Sequence, residues 1–159
     1  MSYNIIDIID KVIKINQDRI KIYKEYLEEI NISEIYHKTR YLIIIRAILK
    51  SIEKENEYYR GLKNKDLNLE NQDINILVYD KISFLMEEFK NSMNGCTCCE
   101  LKDLIPCFID MEKRMLALLI NIQGRLVIET KDTESLAYVI LGEMIQERRK
   151  AIEKLYRLG

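Results

Sequence analysis

Four cysteines fall within twelve residues, Cys96, Cys98, Cys99 and Cys107, and the chain has no others. Cys96 and Cys99 have the two-residue gap that lets two thiolates reach one ion, and Cys107, early in a following helix, can swing back toward them. A helix N-terminus also favours thiolate over thiol. One CxxC with an extra cysteine inside it is only part of a zinc-knuckle pattern, and no βαβ pattern supplies a thioredoxin-like setting. Three roles stay open for these residues: a thiolate metal site with zinc as the favoured ion, redox or inter-chain thiol chemistry, and small buried side chains. The sole histidine, His37, reads as an exposed residue early in a helix, remote in sequence from the thiols.

A second set of chemically capable residues lies where hydrocarbon belongs. The apolar stripe Ile5, Ile9, Val12, Asn16, Ile20, Tyr23, Leu27, Ile30 steps by three and four, predicting a helix from about Asn4 to Ile30 with Asn16 on its core face. Ser33 is the expected N-cap of a second helix reaching Tyr59 or Gly61, with Leu42, Ile45, Leu49, Ile52, Asn56 and Tyr59 in register. A polar stretch over 63–72 reads as a loop. A third helix is expected from about Asp73 to Met93, stopped at Asn94-Gly95. Asp103 caps a fourth, to about Ile128, with Pro106 in its first turn and the stripe Ile105, Phe108, Glu112, Met115, Leu119, Ile122, Leu126. Thr133 caps a fifth, with Leu136, Ile140, Glu143/Met144, Glu147, Ala151, Leu155.

Asn16, Asn56, Glu112 and Glu147 thus occupy core-facing steps near mid-helix, and Glu53 lies one turn before Asn56. A buried carboxylate is costly unless paired, protonated or bound to metal. The bland alternative is an edge residue on a blurred helical face.

These segments resemble the ferritin-like superfamily, in particular its rubrerythrin-like branch: Ile15-Asn16-Gln17-Asp18 followed by Tyr23, then Glu53-Lys54-Glu55-Asn56, Asp110-Met111-Glu112-Lys113 and Gln146-Glu147-Arg148-Arg149-Lys150. That family sets one Glu on each of two helices and Glu-x-x-His on the other two, around a di-iron centre. The resemblance implies an all-α, ferritin-like four-helix bundle over residues 1–159 as one domain, two antiparallel hairpins joined by a long crossover containing an additional helix. It also implies that Glu53, Glu112 and Glu147 are vestigial ligands, with Asn16, Asn56 and Lys150 at lost ligand positions. Lys150 would then set an ammonium where the family has iron; otherwise it reaches solvent and Glu147 lies at the rim.

Composition bounds the rest. Hydrophobic residues are 48% and charged residues 32%, which suits a globular chain, and five Gly with one Pro suit long helices rather than many turns. A net charge of -1 gives no broad electrostatic footprint for nucleic acid or an anionic membrane. Asp7 and Asp10 interrupt the N-terminal isoleucines, unlike a signal peptide, and Tyr41–Ile45 and Met115–Ile122 are too short to span a bilayer. A cytoplasmic location is the expectation, with the cysteines as thiols or ligands rather than structural disulfides. The expected function is a non-catalytic ferritin-like bundle serving assembly as a homo-oligomer or with a protein partner, without a required cofactor. The alternative is a metal-binding protein or oxidoreductase of that superfamily, carrying iron on the reduced carboxylate set or zinc on the cysteines.

Overall fold

The computed structural model describes residues 3–65, 69, 73–94 and 104–158. Among them are five long helices: α1 (Ile5–Ile32), α2 (Lys38–Lys65), α3 (Ile76–Asn94), α4 (Leu104–Arg125) and α5 (Leu136–Leu158). The all-α expectation holds for the architecture. A two-residue antiparallel pair that the sequence pattern did not signal, β1 (Tyr3–Asn4) with β2 (Asp73–Ile74), adds a small clasp outside the core. Tyr3 stacks on Tyr79 beside it, ring centroids 3.9 Å apart. The clasp ties the start of α1 to the start of α3.

Helix ends follow local chemistry. Asn4 caps α1 by accepting from the Ile6 and Asp7 amides, and Asp7 returns the bond to the Asn4 N–H at 2.8 Å. Ser33 does not open α2 as expected. It closes α1, donating from both its amide and its hydroxyl to Ile30 O. The turn continues to His37, which takes a left-handed backbone (φ 61°) immediately before α2, a conformation that His tolerates better than most side chains. His37 therefore precedes the helix rather than riding on it. Thr133 lies in a 3-10 turn (Thr130–Glu134), and Ser135 Oγ accepts the Tyr138 amide at the true start of α5. Asp103 and Gly95, the expected caps around the third connection, lie outside the described residues.

Side-chain pairs give the helix directions. Asp10 meets Lys63 and Asn16 meets Asn56, so α1 and α2 are antiparallel. Gln123 reaches Tyr138 O while Glu112 meets Arg148, so α4 and α5 are antiparallel. Arg19 meets Glu112 and Tyr26 meets Phe108, which makes α1 and α4 antiparallel too. It follows that α2 and α4 run the same way. The chain must return along the bundle between them, and α3, packed on α4, makes that return.

The core has two hydrocarbon segments. One gathers Ile5 to Ile15 of α1, Met115 to Ile122 of α4 and Ala137 to Ile145 of α5, together with Ile82 and Met86 of α3. The other gathers Tyr23, Ile30, Ile44 to Ile52, Phe108 and Leu155. The residue numbers missing between the two sets, around 16–19, 55–56, 112 and 148, mark a polar layer through the middle of the bundle.

Candidate functional site: a buried arginine–carboxylate network

Each of the four bundle helices contributes to this layer. From α1 come Asn16, Arg19 and Tyr23, spaced by three and four and so stacked on one face. Helix α2 supplies Ser51, Glu55 and Asn56, α4 supplies Glu112, and α5 supplies Arg148. Arg19, Glu112 and Arg148 are at most 1% exposed, and Glu55 is 6% exposed.

The bonds form a chain across the bundle. Asn56 Nδ2 donates to Ile13 O at 3.5 Å, and Asn56 Oδ1 accepts from Asn16 Nδ2 at 2.9 Å. Asn16 Oδ1 accepts from Arg19 Nη1 at 2.6 Å. Arg19 Nη2 pairs with Glu112 Oε2, which also accepts from Tyr23 OH at 3.0 Å. Arg148 Nη1 lies 3.2 Å from both Glu112 Oε1 and Glu55 Oε2, and Arg148 Nη2 donates to Ser51 Oγ at 3.3 Å. The contact at Glu112 Oε1 is an ion pair without hydrogen-bond geometry, so that oxygen is held by charge alone. Glu55 Oε1, Tyr59 OH and Arg148 Nε have no hydrogen-bond partner among the described residues.

Two guanidiniums and two carboxylates sum to zero, which is what makes burial of four ionised groups tolerable. Burial alone pushes the Glu112 carboxyl up, but Arg19 and Arg148, with the Arg19 and Tyr23 hydrogen bonds, outweigh it and hold Glu112 below the ordinary carboxylate value. Glu55 goes the other way: its burial, added to the nearby Glu112 and Glu147 charges, outweighs Arg148 and Arg19 and raises it. Tyr23 is raised well above a free phenol, first by burial and then by the Glu112 charge it faces. Tyr59 is raised as well, chiefly by burial. Glu112, saturated by two cations and a phenol, is a poor proton acceptor. The arrangement ties four helices together through side-chain bonds and ion pairs.

No family model, curated protein or solved structure matches this chain.

The residues expected from the sequence divide sharply. Asn16, Asn56 and Glu112 are buried and brought together. Glu53 and Glu147 are exposed, which corrects the expectation that they point inward: each sits one or two residues from the true inward position, held by Glu55 and Arg148. Lys150, 67% exposed and 3.4 Å from Glu147, pairs at the surface and supplies no ammonium to the interior. The buried positive charge on that helix is the Arg148 guanidinium. Among the described residues no group of three or more His, Cys, Asp or Glu side chains could hold a metal ion. Cys107 is disulfide-bonded, contrary to the expectation of a thiol or thiolate ligand, while Cys96, Cys98 and Cys99 lie outside the described residues. Among the described residues, no helix is long and apolar enough to cross a membrane.

Sequence reasoning missed Arg19, Glu55 and Arg148. The signal was present for Arg148: the stripe Ile140/Leu141, Met144/Ile145, Ile152, Leu155 steps through position 148 and not 147.

Proposed function

We propose that the chain is a non-catalytic, ferritin-like helical bundle in which an arginine–carboxylate network takes the place of the superfamily's di-iron centre, and that it acts in assembly with copies of itself or a protein partner. The observation that carries this reading is Glu112, fully buried between Arg19 and Arg148. Two guanidiniums bring two positive charges to the middle of the bundle, enough to balance the two buried carboxylates without a metal ion.

Helix order and direction support the scaffold part: two antiparallel hairpins, α2 and α4 parallel, and α3 as the returning crossover. The residues present do not suit two irons. Asn16 and Asn56 hydrogen-bond to each other, no histidine reaches the layer, and both buried carboxylates are already paired with arginine. An incoming cation would face two fixed positive charges at close range. For assembly, α3 leaves Leu77 and Phe84, two turns apart, 68% and 64% exposed.

Elemental analysis and light scattering on protein purified aerobically without chelator test the two parts separately. No stoichiometric iron and the mass of at least two chains are expected, with Leu77→Glu/Phe84→Glu reverting to one chain. Two irons per chain would overturn the replacement of the metal site. A lone chain at tens of micromolar that also binds no partner would overturn the assembly role.

A further inference from the structure

Helix α3 is apolar on two sides. Its inner side buries Tyr79, Ile82, Met86 and Met93, while its outer side holds Ile76, Leu77 and Phe84 at 55%, 68% and 64% exposure. No other described helix exposes three large apolar residues within nine positions. The solvated face of α1 shows the usual contrast, with Asp10, Lys14, Gln17, Lys21 and Glu25 outward.

Two charges interrupt the outer side of α3, and their placement is regular. Leu77-x-x-Asp80-Lys81-x-x-Phe84 sets one apolar residue three positions to either side of a central pair of opposite charges. Asp80 and Lys81 are exposed, and neither side chain has an ion-pair partner among the described residues. In the reverse direction the pattern keeps its apolar residues and exchanges the signs of its charges. Two copies of such a helix can therefore pack antiparallel about a two-fold axis between positions 80 and 81. Each Asp80 then meets Lys81 of the other copy, and each Leu77 meets Phe84. A parallel pairing in register would set like charge on like.

Shape agrees with charge. An open groove of about 450 Å³ runs along α3, lined by Asp80, Lys81, Phe84, Leu85 and Glu88 together with Arg125 of α4. Lys81, Phe84, Leu85 and Glu88 stand at i, i+3, i+4 and i+7, the set of four that receives one side chain in knobs-into-holes packing. In the antiparallel alignment the side chain over that hole is Leu77 of the second copy. At the far end of the groove Arg125 offsets Glu88, which faces Asp73 of the second copy.

We infer that two copies of the chain pair through α3, antiparallel and two-fold symmetric, with reciprocal Asp80–Lys81 ion pairs between two Leu77–Phe84 contacts. This rests on the assembly role proposed above and gives it a partner and a geometry.

Charge reversal, followed by sedimentation equilibrium at physiological salt, tests the pairing. Asp80→Lys leaves two adjacent cations and Lys81→Asp two adjacent anions, so each variant repels its own copy. Both positions are exposed, and circular dichroism should show the fold unchanged. Each variant should self-associate about tenfold or more weakly than the parent. Mixed together, the two should form a one-to-one heterodimer, because cations then face anions at both contacts. Asp80→Lys/Lys81→Asp in one chain restores the alternation and should self-associate as the parent does. A parent dimer that both single variants retain would overturn the α3 contact and leave assembly through another face. A mixture no more associated than its components would overturn the antiparallel alignment. A monomeric parent that instead binds a different protein would overturn self-pairing and leave the wider assembly role standing.

Discussion

The hydrocarbon segments of the core and the ionic layer between them fill the same bundle by opposite physics. Around Ile8, Ile82, Met115 and Leu141 the side chains are interchangeable in kind, and stability scales with the apolar area removed from water. Sliding one helix there by a turn, about 5.4 Å, still sets hydrocarbon against hydrocarbon. At the ionic layer the same slide would separate Glu112 from Arg19, Tyr23 and Arg148 together. Charge in a core contributes little net stability compared with well-packed apolar residues, but it penalises every wrong alignment heavily. The apolar segments bury most of the hydrocarbon, and the ionic layer holds pairs that only one helix alignment brings together.

Breaking the layer at one point should therefore cost as much as emptying a core site and differ from it in kind. Glu112→Gln leaves two buried guanidiniums without their shared counter-charge, and urea unfolding should show a loss of about 3–5 kcal/mol. Phe108→Ala, in the neighbouring hydrocarbon segment, empties a fully buried ring site that packs edge-on against Tyr23 and Tyr26. It should cost about 3–5 kcal/mol through the cavity it leaves, yet should not change which helices pair. Only the Glu112 variant is expected to lose unique packing, seen as broadened amide spectra.

Titration separates the two, since the ionic layer holds the buried carboxylates whose pKa values folding shifts, while outside it Asp132 is lowered by the Glu129 and Ile128 amides. Glu112 has a folded-state pKa below its unfolded value, so its contribution is present above the ordinary carboxylate range and is lost as pH falls through the lowered value. Glu55 is raised, so its protonated form is favoured by folding, and that contribution is lost as pH rises through the raised value. Unfolding free energy measured from pH 7 to pH 3 should fall at the acid end, and Glu112→Gln should flatten that fall. In Glu55→Gln the decline of stability between mildly acidic and neutral pH should diminish.

The smallest effects belong to Glu53 and Glu147, the two exposed carboxylates among the three that the residue pattern favoured. Glu53→Gln and Glu147→Gln alter exposed groups and should each stay within about 0.5 kcal/mol of the parent.

That last contrast shows how far the sequence was readable. Stripes of period 3.6 gave the helices because burial of one face is recorded directly in residue type. Asn16, Asn56 and Glu112 stood out because they interrupt those stripes. Glu147 adjoins Arg148 and Glu53 lies two residues before Glu55, offsets of about 100° and 200° of helix rotation, and both stretches are so rich in charge that residue type does not mark which position faces inward. Arg19 follows Asn16 by one turn, but a long basic side chain usually reaches solvent, so its burial leaves no mark in residue type. Ser33 offered two roles with the same hydroxyl, and the closing bond to Ile30 O prevailed. The β1–β2 clasp, two residues on each side, is shorter than any alternation can reveal.

Glu112 and Arg148 stand 3.2 Å apart, so they should act on each other directly, with no shared metal needed. A double-mutant cycle on Glu112→Gln and Arg148→Met, by urea unfolding with chelator present and again with ferrous iron under anaerobic conditions, measures this. A coupling of about 1.5–3 kcal/mol, equal in both buffers, is expected. Additivity of the two substitutions within about 0.5 kcal/mol, or a coupling seen only when iron is supplied, would contradict it.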